Sequence, residues 1–589
     1  MGTPVAPRRR EAGPGARLAD VRVARVLPDL PLDKVFDYLI PDDLAPEVRV
    51  GTMVRVALQG RRIGGWVVGL ADEASTDRPL QPLAKVTGWG PPADIVALAR
   101  WAAWRWAGRT AQLLGTASPP RAVRYLPRPV SPPRPGATQP RLAPGVTVVR
   151  IPPAGDVLPV ALDVVGCGDA LVLAPSLAAA AYLAARLRQE GHRVALVPHE
   201  WALAAAGGCV AVGARAGAWA PRPQLGAVLV VDEGDEAYQE ERAPAWNARD
   251  VAVERARRAN VACVLTSPCP SLEALGYGPL VLPSRNEERS GWPILEVVDR
   301  RSDPPGSGLY SSRLVTLARQ AEPDARLVCV LNRKGRARLL ACVTCRELVR
   351  CEACGSAVDG VDEGLRCRRC GTVRPKVCLA CGGTRLATLR VGVTRAREEL
   401  ELLANRPVAE VSADTAAGPP PDGVPIVVGT EAVLHRVAGA RAVAFLDLDQ
   451  ELLAPRYRAA EAALGMLARA ARLVGGRSNG GRVLVQTRLP GHEVIDAAVH
   501  ADPSRLAVVE AARRAALRFP PETAMATVSG QAAATFVATL PADGRVEVLG
   551  PANDRWLLRA ADHRTLCDAL ATTPRPPGRL RIEVDPLRA

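Results

Sequence analysis

Residues 342–355 read CVTCRELVRCEACG, two Cys-x-x-Cys pairs in one short run. Two more pairs follow, in CRRCG (367–371) and VCLACGG (377–383). Thiolates two residues apart can grip one side of a tetrahedral metal, and two such pairs close a structural Zn2+ site. The eight residues Cys342, Cys345, Cys351, Cys354, Cys367, Cys370, Cys378 and Cys381 therefore make two sites of four, with no open position for catalysis. Gly355, Gly371 and Gly382 follow the second cysteine of three pairs, where a tight knuckle turn suits a residue without Cβ. Arg346 fills that place in the first pair. Iron–sulfur clusters and redox dithiols are the competing readings, and the regularity of four pairs favours zinc.

The surrounding chain has 589 residues, of which 48% are hydrophobic, enough for several packed domains. Lys and Arg number 76 against 61 Asp and Glu, a formal charge of +15. That excess favours a polyanionic partner through counterion release, although a genome rich in Arg, Ala, Gly and Pro codons produces the same bias. No run of about 20 uncharged apolar residues occurs, so no membrane span is expected. The start, MGTPVAPRRREAGPGARLAD, lacks the apolar core of a signal peptide. A reducing, cytoplasmic setting is the expectation for this cysteine usage.

Working outward, residues 1–19 read as a disordered basic tail and 20–117 as an N-terminal domain. Its first part, with GTMVRVAL (51–58) and RIGGWVVGL (62–70), resembles a hairpin series, and 93–115 is helical with Trp101 and Trp104 at packing positions. Residues 118–145 are a proline-rich linker. From 146 to 300, apolar runs such as DALVLAP, RVALVP, CVAVGAR, GAVLVVDEGDEAY and VACVLTS alternate with helical segments, the signature of a parallel sheet covered by helices. A second such series spans 301–500, and the cysteine module 341–383 interrupts it after its first strand. Residues 501–589 form a small α+β unit.

Asp232 and Glu233 end an apolar strand, as the Mg2+-holding acids of P-loop motors do. Their necessary partner, G-x-x-x-x-G-K-[ST], is nowhere in the chain. The place for it reads VVRIPPAGDVLPVALDVV (148–165), with one glycine, two prolines ahead of it and no lysine. Proline removes donors that a phosphate cradle would use.

Taken together, these segments resemble the PriA family of primosomal replication restart proteins, from about residue 20 to the end. FDYLIP (36–41) with RVALQGRRIGGWVVGL (55–70) is similar to the family's domain for a DNA 3′ end. VGARAGAWAP (212–221), VDEGDEAYQEERAPAWNARDVAVERA (231–256), LTSPCPSLEAL (265–275), LNRKGRA (331–337), VVGTEAVLH (427–435), LAPRYRAAEAAL (453–464), VLVQT (483–487) and IEVDP (582–586) follow the family's helicase segments in order around the cysteines. The resemblance implies two RecA-like lobes with the zinc module in the second. It implies nested ligation, with Cys342, Cys345, Cys378 and Cys381 on one ion and Cys351, Cys354, Cys367 and Cys370 on the other. By the same carry-over, Phe36, Asp37, Gly60 and Lys85 line the pocket for a 3′ terminus; ordinary β-packing and a turn are the plain alternatives for Phe36 and Gly60.

The departures are concentrated in the motor. Gly234-Asp235 stands where the family has Glu-His, His435 and Arg436 replace Lys and Gly, and Leu473 and Gly476 stand at two arginine positions, unless a small slip brings Arg472 and Arg477 there. The expected function is recognition of stalled or branched forks, with two structural zinc ions, recruitment of replisome-loading proteins and single-stranded-DNA-binding protein implied by the resemblance, and no helicase activity. An active ATP-dependent 3′→5′ helicase using ATP and Mg2+ at an unorthodox site is the enzymatic alternative, and a zinc-ribbon interaction module without DNA is the third. The setting implied is cytoplasmic and nucleoid-associated.

Overall fold

The computed structural model describes residues 22–587, apart from 32, 77, 129–141, 304–307, 332–339, 362–363, 368, 389–392, 412–417, 419 and 553. The basic tail, the middle of the proline-rich linker and most of LNRKGRA lie outside the described residues.

The N-terminal domain begins with a five-stranded antiparallel sheet of Phe36–Leu39, Val23–Pro28, Arg61–Ala71, Met53–Leu58 and Lys85–Gly88, in that spatial order. Leu39 N–H donates to the Gln81 carbonyl at 3.0 Å and Leu83 N–H to the Leu39 carbonyl at 2.9 Å, which draws the two edges toward closure. Alternation sets the faces: Val54 and Val56 point into the small core with Ala24, Val26 and Val67, and Arg55 points out. The hairpin turns on Gln59-Gly60, with φ of +49° and +76°, the turn class whose twist matches the strands.

Helices Ala93–Arg105 and Thr110–Ala117 cap one end of this sheet. Trp101 and Trp106 meet edge to face at 5.4 Å, and Trp104 Nε1 donates to Asp568 at 2.9 Å, so these tryptophans pack as their spacing suggests.

The first lobe is an all-parallel sheet in the order Leu280–Val281, Gly145–Arg150, Ala262–Ser267, Ala227–Val230, Ala170–Leu173, Val210–Gly213, Val194–Val197. Helices cover both faces, which is why Ala227–Val230 and Ala170–Leu173 are apolar at every position. The second lobe repeats the pattern with Ile294–Asp299, Arg482–Thr487, Ala442–Phe445, Leu327–Val330, Ile426–Gly429 and Val408–Val411. Ile294–Asp299, which a boundary at 300 assigns to the first lobe, pairs in register with Arg482–Thr487 and so belongs to the second. Its mixed, half-buried face gave no continuous apolar run to mark it as a strand of the second sheet.

The C-terminal unit is an antiparallel sheet of Val546–Ala552, Arg555–Ala560, Ala524–Ser529 and Arg581–Val584, with helix His563–Thr572 against the N-terminal helices. There Arg105 pairs with Asp585 at 2.5 Å. The result is the multidomain α/β architecture expected: a β-rich N-terminal domain, two lobes each built on a parallel sheet, a cysteine-rich insertion in the second, and a small α+β domain. No helix among the described residues is long and apolar enough to cross a membrane.

Candidate functional site

The cysteine module folds as four repeats of one turn. Arg346, Gly355, Gly371 and Gly382 N–H groups donate to the carbonyls of Cys342, Cys351, Cys367 and Cys378 at 2.9–3.0 Å. All four take left-handed backbone, φ +67° to +79°, so Arg346 makes the knuckle that glycine makes elsewhere. The turns converge into two tetrads, Cys342–Cys345–Cys378–Cys381 and Cys351–Cys354–Cys367–Cys370, each with its four sulfurs within 4.8 Å of one another. Within them Cys342–Cys381, Cys345–Cys378, Cys351–Cys370 and Cys354–Cys367 each lie at 3.5 Å. A tetrahedron of thiolates about 2.3 Å from zinc has edges of roughly 3.8 Å, so the donor set and spacing fit that ion in the nested pairing. Ala357 N–H and Ser356 Oγ both donate to the Leu453 carbonyl, anchoring the module on the second lobe.

Of the DNA-end candidates, Phe36 and Asp37 lie on the edge strand Phe36–Leu39, half-buried. Asp37 Oδ2 accepts from Ser75 N–H at 2.7 Å and Ser75 Oγ at 2.6 Å, and Lys34 Nζ sits 5.4 Å from the Phe36 ring. Gly60 occupies the hairpin tip with open space where a Cβ would be, so its backbone angle alone explains the glycine. Lys85 is exposed on Lys85–Gly88, opposite Arg55.

Between the lobes lies a cavity of about 920 Å³, where a nucleotide would sit in a motor of this architecture. After strand Gly145–Arg150, Pro152 and Pro153 have no N–H to offer. Ala154 N–H donates to the Gly291 carbonyl and Gly155 N–H to the Pro152 carbonyl. The Asp156 carboxylate then accepts from Leu158 N–H at 3.0 Å, at the start of helix Leu158–Val165. A side-chain anion thus takes the helix N-terminus that a phosphate takes in a P-loop. Arg186 binds both Asp156 oxygens at 2.6 and 2.7 Å and holds that carboxyl below the usual range.

Asp232 and Glu233 are separated by their surroundings. Asp232, at φ +51°, faces the cavity. Glu233 turns inward, accepts from Ser271 N–H and Oγ at 2.8 and 2.9 Å, and pairs with Arg249 at 3.1 Å. Burial raises the Glu233 carboxyl, against the pull of Arg249. Across the cavity, helix Ala459–Val474 of the second lobe presents Arg472, bound to both Asp232 oxygens at 2.6 and 2.9 Å, and Arg469, 3.7 Å from Asp235. Arg472 and its neighbour Leu473 both line the cavity, whereas Arg477 is not among the cavity residues. Seven carboxylates face five guanidiniums around the cavity, an acidic balance inside a basic protein.

Bordering the cavity, an ion network with no local signature in the sequence joins three domains. Arg514 pairs with Glu510 at 3.1 Å, Glu273 at 3.2 Å and Glu461, while Arg458 reaches Glu273 at 2.5 Å. Glu273 belongs to the first lobe, Glu461 and Arg458 to the second, and Arg514 and Glu510 to the C-terminal unit.

The family model for the 3′ DNA-binding domain of PriA matches residues 25–119. The Mycobacterium tuberculosis protein named "Probable replication restart protein PriA" is 28% identical, over 88% of this chain and 89% of its own length. The replication restart protein PriA of Treponema pallidum is 29% identical over 53% of this chain and 50% of its own, and that of Bacillus subtilis 26% identical over 58% and 47%. Among solved structures, Saccharomyces cerevisiae Dbp5 bound to RNA and ADP BeF3 aligns with TM-score 0.36 at 11% identity, over 64% of this chain and 90% of that one, which is too remote to argue from. The chain is thus similar to PriA replication restart proteins over most of its length.

Proposed function

We propose, taking that kinship with PriA as the premise, that this protein recognises branched replication forks and works as a restart scaffold without an ATP-driven motor. The observation that carries the reading is the Asp156 carboxylate seated on the helix N-terminus where a P-loop holds phosphate, with Arg186 closed over it. Phosphoryl transfer depends on charge stabilisation by a cradle, a lysine and a metal-holding acid. Here the cradle donors are spent on the chain itself, the lysine is absent, and the acid Asp232 is neutralised by Arg472.

In this reading Phe36, Asp37, Gly60 and Lys85 hold the DNA 3′ terminus, and the two tetrads each hold one structural zinc. Zinc folds a loop too small to keep a core of its own, and the module it shapes recruits replisome-loading partners. The protein acts at the nucleoid in the cytoplasm.

The test is one purified preparation titrated with forked DNA and assayed for zinc content and DNA-stimulated ATP hydrolysis. Fork binding with two zincs and no hydrolysis supports the proposal. Hydrolysis abolished by Asp232→Asn overturns its motorless part.

A further inference from the structure

On the outer face of the N-terminal sheet, Arg55 stands directly across from Lys85 on one side and Gly64 on the other. Arg62 pairs with Ala57, two residues along from Arg55, so cross-strand pairing places Arg62 on the same face. Helices cover the neighbouring Met53–Trp66 pair and leave this end bare. Arg55, Arg62 and Lys85 are exposed and make no ion pair with any described residue. Gly64 has open space where a Cβ would be, which leaves a side-chain-free floor beside the cations.

The stripe continues onto a second segment. Trp89 N–H donates to the Val123 carbonyl at 2.7 Å, an antiparallel bridge that heads the chain after Val123 back along Lys85–Gly88. That stretch reads Arg124-Tyr125-Leu126-Pro127-Arg128 by position, and Tyr125 is 87% exposed. Arg124 and Arg128 are exposed and make no ion pair with a described residue. A bare aromatic between unpaired arginines has no packing role; it suits a base, which stacks on the ring while the cations follow the phosphates.

We infer that Arg62, Arg55 and Lys85 with Arg124, Tyr125 and Arg128 form a single-stranded DNA track leading to the 3′-end pocket, with Tyr125 as the stacking platform. The inference rests on the reading that this domain binds DNA. It names the arginines and the aromatic that contact a strand, which the family resemblance does not.

The test uses the full-length protein, a 3′-tailed duplex and a blunt duplex of the same sequence, titrated at several salt concentrations. Tyr125→Ala weakens tailed-DNA binding by about fivefold to a hundredfold and leaves the blunt duplex unchanged, whereas Tyr125→Phe behaves as wild type. Arg55→Gln with Arg62→Gln lowers the slope of log K against log salt by about 1.4 for the tailed substrate, two single-strand phosphate contacts at roughly 0.7 each. Gly64→Glu, in open space, weakens the same substrate where Gly64→Ala does not. Wild-type affinity and slope in these variants overturn the track while leaving DNA binding intact. Failure of the unaltered protein to bind any DNA overturns the underlying reading and the track with it.

Discussion

Arg472 of the second lobe grips both carboxylate oxygens of Asp232 in the first, at 2.6 and 2.9 Å. In a working motor the acid at this position would hold a metal and the arginine would meet a phosphate. Here each is the other's partner, and the pair bridges the two lobes directly.

That bridge is open to solvent on the Arg472 side, so its stabilising effect is small. A double-mutant cycle with Arg472→Ala and Asp232→Ala, followed by urea denaturation, is expected to give a coupling energy of about 0.5–1 kcal/mol. A coupling above about 2 kcal/mol would show the bridge to be a principal lock between the lobes.

The buried network beneath it behaves differently. Arg514 is 1% exposed and is shared by three carboxylates. Truncating it leaves Glu510 with Arg513 and Glu273 with Arg458, but takes from Glu461 the cation it pairs with. Arg514→Ala is expected to cost about 3–5 kcal/mol of stability, and the loss should appear as a lower denaturation midpoint with the lobes and C-terminal unit separating together.

The two cysteine tetrads are separate, and so should be their ions. Cys354→Ser is expected to lower bound zinc, measured by atomic emission, from two per chain to one; Cys345→Ser should remove the other. Loss of both from either change would mean that the tetrads fill only as a unit.

The knuckles also yield a purely conformational prediction. Gly371 lies at φ +79° with open space where a Cβ would be. Gly371→Ala therefore meets no clash, and its cost of about 1–2 kcal/mol comes from the left-handed backbone alone. Chelator-challenge kinetics should show faster zinc loss from the Cys367-containing tetrad.

Stability should also depend on pH through Asp449. Burial, and after it the neighbouring Asp447 charge, raises its carboxyl to about 7. The folded state therefore prefers the protonated acid: the stabilisation is complete below the ordinary carboxylate range near pH 4 and is lost as pH rises toward 7. Asp449→Asn keeps an acceptor for Arg488 N–H, which is 2.8 Å away, and should flatten unfolding free energy across that window. An unchanged slope would assign the dependence to another group.

Features that depend on short-range spacing were readable before any fold was known. Cys-x-x-Cys pairs set the knuckles, continuous apolar runs set the buried strands, and Pro152-Pro153 removed phosphate donors whatever the fold around them. The 3′-end domain was legible from FDYLIP and the hairpin after it, within the residues 25–119 that the family model matches. Which distant residues meet depended on the packed fold. Nothing local made Glu233 turn inward to Ser271 while its neighbour Asp232 faced the cavity, because a left-handed residue at the strand end sends the two side chains apart. Nor did spacing show that Arg472, 240 residues away, would reach Asp232, or that Arg514 would sit among acids from both lobes. Those contacts arise because packing the two sheets buries charged side chains that must then find partners, and which partner is nearest is a property of the folded surface.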